Sequence, residues 1–150
     1  MEKCSRKQEM GKKAFIVVFG TLSIIAFGFQ SSNSNIKIEN AYIGVAAKGM
    51  TGAVYFKISN SSDSPDTLYQ VNADFAMMAQ LHESFRKNGM TGMKGIRDVV
   101  IPAKSIVVFK PGGYHVMLMN VKQDLKTGMK FGLMLMFRQA GKIEITAPVK

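Results

Sequence analysis

Tyr114-His115-Val116-Met117-Leu118-Met119 is the stretch on which the reading of the fold turns. A period of two puts Tyr114, Val116 and Leu118 on one face of a β-strand and His115, Met117 and Met119 on the other. The first face is ordinary core. The second presents an imidazole and two thioethers, which a core does not need. Outward from this strand, Val54 to Ile58 alternates, Ile106 to Phe109 is a short branched and aromatic run, and Phe131 to Phe137 and Lys142 to Thr146 flank the turn-like Gln139-Ala140-Gly141. Turn signals stand between the runs at Ser61 to Pro65, Asn88-Gly89, Ile101-Pro102-Ala103, Pro111-Gly112-Gly113 and Thr127-Gly128. No stretch of a dozen residues carries a convincing helical period. Seven to nine short strands at this spacing predict an all-β sandwich or Greek-key barrel.

Asn88-Gly89 between extended segments is a two-residue hairpin signal, and such a turn pairs residues whose numbers sum to 177. Ser84 then faces Met93, His82 faces Gly95 and Glu83 faces Lys94, an opposite-charge pair that favours this register. His82 and Met93 become diagonal neighbours on one face, within reach for long side chains. A bulge would shift the pairing.

The chain has 150 residues, enough for one domain with a real core, and 12 of them are methionine. Methionine is usually an occasional gap-filler, so this excess of soft sulfur calls for a reason. Met77, Met78, Met129, Met134 and Met136 are expected to pack. Met90 and Met119 are expected as auxiliary ligands at most. With one cysteine and two histidines, intramolecular disulfides and CxxC-type zinc modules are excluded.

The N-terminus has the layout of an export signal. Lys3, Arg6, Lys7, Lys12 and Lys13 form a basic head, an uncharged and mostly apolar run follows from Ala14 to Phe29, and Gln30 to Asn35 is polar. The run falls short of the about 20 residues that span a bilayer comfortably. We therefore expect a signal peptide over residues 1–28, with Ala26-Phe27-Gly28 as a small-x-small cleavage site, a linker over 29–35 and a β domain over 36–150. An uncleaved anchor that tethers the domain to the inner membrane is the alternative. Cys4 precedes the apolar run, so residues 29–150 hold no cysteine, and thiol chemistry is expected to be absent from the domain. Beyond that head, residues 29–150 carry 15 basic and 8 acidic side chains, a net charge of +7 with the basic residues scattered singly and no basic helix or recognition motif, which argues against a nucleic-acid partner.

His82, ten intervening residues, Met93, twenty-one more, then His115-Val116-Met117 reproduces the H-x10-M-x21-H-x-M signature of the periplasmic copper chaperones called PCuAC. Pro111 to Met119 resembles that family's signature segment, and the likeness runs over residues 39 to 148, taking in Thr51-Gly52-Ala53-Val54-Tyr55-Phe56 and Leu81-His82-Glu83. Gly44 departs from it, standing where a basic residue is expected. The resemblance implies a cupredoxin-like β-barrel that holds one copper(I) ion on His82, Met93, His115 and Met117. It implies a monomeric periplasmic metallochaperone rather than an enzyme. The expected partner is a copper acceptor in respiratory oxidase assembly, a cytochrome c oxidase subunit with its CuA site or an assembly factor. Contact with the membrane is expected only through the signal segment or that acceptor.

The donor chemistry agrees on its own terms. Thioethers favour copper(I) over zinc, magnesium or calcium, and imidazole suits copper in either oxidation state. A blue-copper electron carrier needs a cysteine thiolate that residues 29–150 lack. No Ser-His-Asp or HExxH arrangement supports a hydrolase. The rival from another class is an exported β-sandwich interaction module whose His/Met face docks a partner without moving metal.

Overall fold

The computed structural model describes residues 35–150, so the expected signal peptide and nearly all of the expected linker lie outside the described residues. Ten strands follow one another: β1 (Ile36–Ile43), β2 (Gly52–Asn60), β3 (Asp66–Asn72), β4 (Ala76–Lys87), β5 (Met90–Gly95), β6 (Val99–Ile101), β7 (Ser105–Phe109), β8 (Tyr114–Val121), β9 (Lys130–Phe137) and β10 (Gly141–Pro148). They form a six-stranded sheet in the order β1-β2-β7-β8-β4-β5, with β2 also pairing β8, and a four-stranded sheet in the order β10-β9-β3-β6. This is the expected all-β, cupredoxin-like architecture. No described residue is helical.

Ten strands exceed the expected seven to nine, and the surplus has a physical cause. The strands beyond the sequence reading are β1, β3 and β6: β6 has only 3 residues, and β3 and β1 are interrupted by register shifts, between Leu68 and Gln70 and between Glu39 and Tyr42, where Asn40 takes a left-handed φ of 54°. Such a bulge breaks the period of two on which strand recognition rests.

The core lies where the pleat of each sheet turns alternate side chains inward. On β2, Val54, Phe56 and Ile58 are buried, while Ala53, Tyr55 and Lys57 point the other way. On β8, Val116 and Leu118 are fully buried, as the alternation requires. Phe56 stacks on Phe109 with ring centres 4.4 Å apart, and Leu133, Leu135 and Phe137 of β9 complete the centre from the other sheet. Two polar side chains serve the frame. Asn60 donates its amide hydrogens to the carbonyls of Ser64, Ile101 and Pro102, and Asp66 accepts from the backbone N–H groups of Thr67, Gln139 and Ala140.

The expectation that Met77, Met78, Met129, Met134 and Met136 pack in the interior is overturned. Among the described residues no methionine belongs to the buried core or to the apolar residues packed against it, and Met77, Met78 and Met129 are exposed. Met134 and Met136 alternate with the buried Leu133, Leu135 and Phe137 and so stand on the outer face of β9. Replacing either by alanine should therefore lower the free energy of unfolding by under about 1 kcal/mol, against about 2–5 for a buried methionine. Thermal or urea melts of the two variants check this, and a core-sized loss would return them to the interior.

Candidate metal centre

The hairpin of β4 and β5 has the register its turn demands. His82 pairs with Gly95, Glu83 with Lys94 and Ser84 with Met93. Asn88 and Gly89 take φ values of 51° and 77°, the paired left-handed geometry of a type I′ turn. Lys94 Nζ lies 3.0 Å from Glu83 Oε2. Phe85 pairs with Gly92, and a Cβ built at Gly92 would lie 2.5 Å from its ring, so the aromatic covers the backbone of the neighbouring strand. A bare glycine on an edge strand is stiffened in this way.

The other flank of β4 pairs with β8, and here His82 is directly opposite His115. Opposite residues share a face, so His82, Ser84 and Met93 come together with His115 and Met117 on the side of the six-stranded sheet away from the core. The two imidazole rings have centres 5.7 Å apart. Met93, His115 and Met117 line one open cleft of about 390 Å³, together with Tyr55, Ser84 and the Pro111-Gly112 turn. His82 does not line that cleft and reaches the cluster at its edge, through His115. Met90 is not part of it. Its pairing with Lys87 puts it on the opposite face of β5 from Met93. Met119 lies further along the same face of β8.

Asn60, Asp66 and His115 are the buried polar residues among those described. The first two close turns; His115 does not. Its Nδ1–H donates to the Gly113 carbonyl at 3.0 Å, which fixes the ring and leaves the lone pair on Nε2. Tyr55 approaches it with ring centres 6.5 Å apart and itself packs on Tyr42. Burial, then the neighbouring Tyr42, pushes the Tyr55 phenol above its ordinary range, so it stays protonated at neutral pH and adds no anion. His82 has one nitrogen 3.5 Å from Gln80 Oε1, while its Nδ1 is shut off from solvent with no hydrogen-bond partner among the described residues. An unpaired buried nitrogen costs about 1–3 kcal/mol, and such a group points to something it binds. Burial and the proximity of His115 lower the His82 pKa, so its ring is neutral near pH 7.

Among the described residues no group of three or more His, Cys, Asp and Glu side chains could hold a metal. A metal at this cleft therefore has to be one that accepts thioethers, and a neutral set of two imidazoles and two thioethers suits a soft, singly charged ion.

Residues 36–149 match the profile of the LpqE-like lipoprotein family. The chain belongs to this family, which is of the PCuAC type. Its relatives include a protein of Leifsonia xyli subsp. xyli (strain CTCB07), Lxx21020, whose name carries the word lipoprotein. It is 31% identical over 116 residues, 77% of this chain and 69% of that one. An uncharacterized Rickettsia prowazekii (strain Madrid E) protein, RP573, is 28% identical over 63% of this chain, a stretch that spans only about half (53%) of that protein. Among solved structures, the copper-bound PCuAC domain of PmoF2 superposes with a TM-score of 0.66 at 27% identity, covering 77% of this chain and 92% of that domain. The copper(I) form of DR1885 from Deinococcus radiodurans gives 0.59 at 29% identity, over 75% and 78% of the two chains. Gly44 borders the cleft without a side chain.

Proposed function

We propose that this chain is an exported copper(I) chaperone that carries one ion on His82, Met93, His115 and Met117. It surrenders the ion to an acceptor in respiratory oxidase assembly, at the CuA site of a cytochrome c oxidase subunit. The observation that carries the reading is the in-register meeting of His82 and His115 beside two same-face methionines, with a buried His82 nitrogen left without a partner. The similarity to copper-bound PCuAC domains supports the choice of metal.

The residues suit a carrier. Two imidazoles and two thioethers bring no charge, so the ion keeps its single positive charge and is held by donor softness alone. Thioethers also avoid the oxidation to which a thiolate is exposed in an oxidising compartment. The cleft opens on the outer face of the sheet. An acceptor thiolate can therefore displace one donor at a time, each new copper–sulfur bond replacing a bond to imidazole or thioether while copper stays in the +1 state. His115, held by the Gly113 carbonyl, keeps its geometry through the exchange. The periplasm is the compartment in which such an exported carrier meets the oxidase.

Anaerobic purification in the presence of copper(I), followed by metal analysis, should give one copper per chain. Mixing with an apo CuA domain should move that copper to the thiolates of the acceptor. A chain that retains no copper would overturn the reading in favour of a docking module. Retention without transfer would confine the protein to storage.

A further inference from the structure

Every methionine among the described residues lies outside the core, and one group of them continues the row of the proposed centre. On β8, Met119 follows Met117 at the next same-face position, as Met117 follows His115. Directly opposite Met119 across the β4–β8 ladder stands Met78. Cross-strand partners of this kind have Cβ atoms about 5 Å apart, and each methionine has three rotatable bonds with which to bring its sulfur inward. Gln80, opposite Met117, separates this pair from His82 on β4. Just beyond, Asn120 takes a left-handed φ of 50° and breaks the alternation, so that Val121 turns into the core and the row ends at Met119. Met78 is 49% exposed and Met119 half-buried, and neither belongs to the core or to the apolar residues packed against it.

We infer that Met78 and Met119 form a second, weaker copper(I) site at the end of this row. An arriving ion is taken there by two thioethers before it passes along β8 through Met117 to the His/Met centre. The inference rests on the proposal that this centre takes copper(I). Two thioethers bind a soft ion less tightly than two imidazoles and two thioethers, so the ion runs downhill toward His115. Every step exchanges one copper–sulfur bond for another ligand bond, with no change of oxidation state.

The test is an anaerobic copper(I) titration of the full chain carrying ¹³C-methyl methionine, read by NMR. The first equivalent should shift the methyls of Met93 and Met117, and the second those of Met78 and Met119. The double variant M78L/M119L keeps apolar volume while deleting both sulfurs, so it should fold, lose the second event and fill the centre several-fold more slowly in stopped-flow loading from a weak copper(I) complex. Met78 and Met119 methyls that stay in place through the second equivalent would overturn the inference while leaving the centre intact, as would wild-type loading kinetics in the double variant. Unmoved Met93 and Met117 methyls at the first equivalent would instead remove the centre itself, and the relay with it.

Discussion

His115→Ala will abolish stoichiometric copper(I) retention, with affinity falling by more than about a hundredfold. The figure follows from metal sites in which loss of a residue that only orients a ligand already costs about 10–100-fold, so deletion of the ligand itself must exceed it. His115 is the hub of the cluster. It meets His82 across the ladder, shares its strand face with Met117 and lines the cleft with Met93. Met117→Leu, which keeps volume and removes only the sulfur, also deletes a proposed ligand and should likewise cost more than about a hundredfold. Met136→Leu, on the outer face of the other sheet, should leave copper binding unchanged. Competition with a copper(I) chelator measures all three, and thermal melts show whether each variant is folded. His115 is 6% exposed and hydrogen-bonded to Gly113, so its loss should also lower stability by about 1–3 kcal/mol. A folded His115→Ala chain that binds copper like wild type would remove the residue from the site, and the shared face of β4 and β8 would need another explanation.

The site was legible in the sequence to the extent that strand geometry is local. The Asn88-Gly89 turn dictates its own register, so the Ser84–Met93 and Glu83–Lys94 pairings could be written down without any knowledge of the rest of the fold. The split of β8 into Val116 and Leu118 on one side and His115 and Met117 on the other follows from the pleat alone. The partnership of β4 with β8 was a different matter. Residues 82 and 115 are brought opposite each other by sheet topology, and no short-range rule sets that register. The orphaned Nδ1 of His82 and the bond from His115 to Gly113 lie equally beyond sequence reasoning, since both depend on the path of the backbone around the rings.

The methionines mark where reasoning by residue type failed. Hydrophobicity places a methionine inside by default, yet Met77, Met78 and Met129 are exposed and Met134 and Met136 face outward. Periodicity did contain the correction for β9. In Phe131 to Phe137 the branched and aromatic residues Leu133, Leu135 and Phe137 occupy one parity and the two methionines the other, so a strand with one buried face could bury only one set. For Met78 the signal was available only after β4 and β8 were paired.

Copper(I) affinity should be flat above about pH 7.5 and fall below about pH 6, because an imidazole must be neutral to bind metal and its ordinary pKa is about 6.5. Each ligating histidine contributes up to about one log unit of affinity per pH unit, so two give a limiting slope of about two. The thioethers contribute none and leave a weak residual affinity in acid. His82 shapes the curve. Burial first, and His115 second, lower its pKa, so its proton competes with copper only at lower pH than an ordinary imidazole would, and the full slope is reached only below that depressed value. The same shift has a consequence for the apo chain. Unfolded His82 takes up its proton near pH 6.5 while the folded residue still refuses it. Stability present above about pH 6.5 is therefore lost as pH falls from there to the folded pKa. Copper bound to the folded state adds stability in proportion to its affinity, so the gap between apo and loaded melting temperatures should narrow across the interval in which the affinity falls. Anaerobic chelator competition between pH 5 and 8, paired with melts of both forms, reads the two effects together. A slope that never exceeds one would leave a single histidine on the metal. A level profile across the whole range would mean that neither imidazole binds copper, and the ion would have to sit on methionines alone.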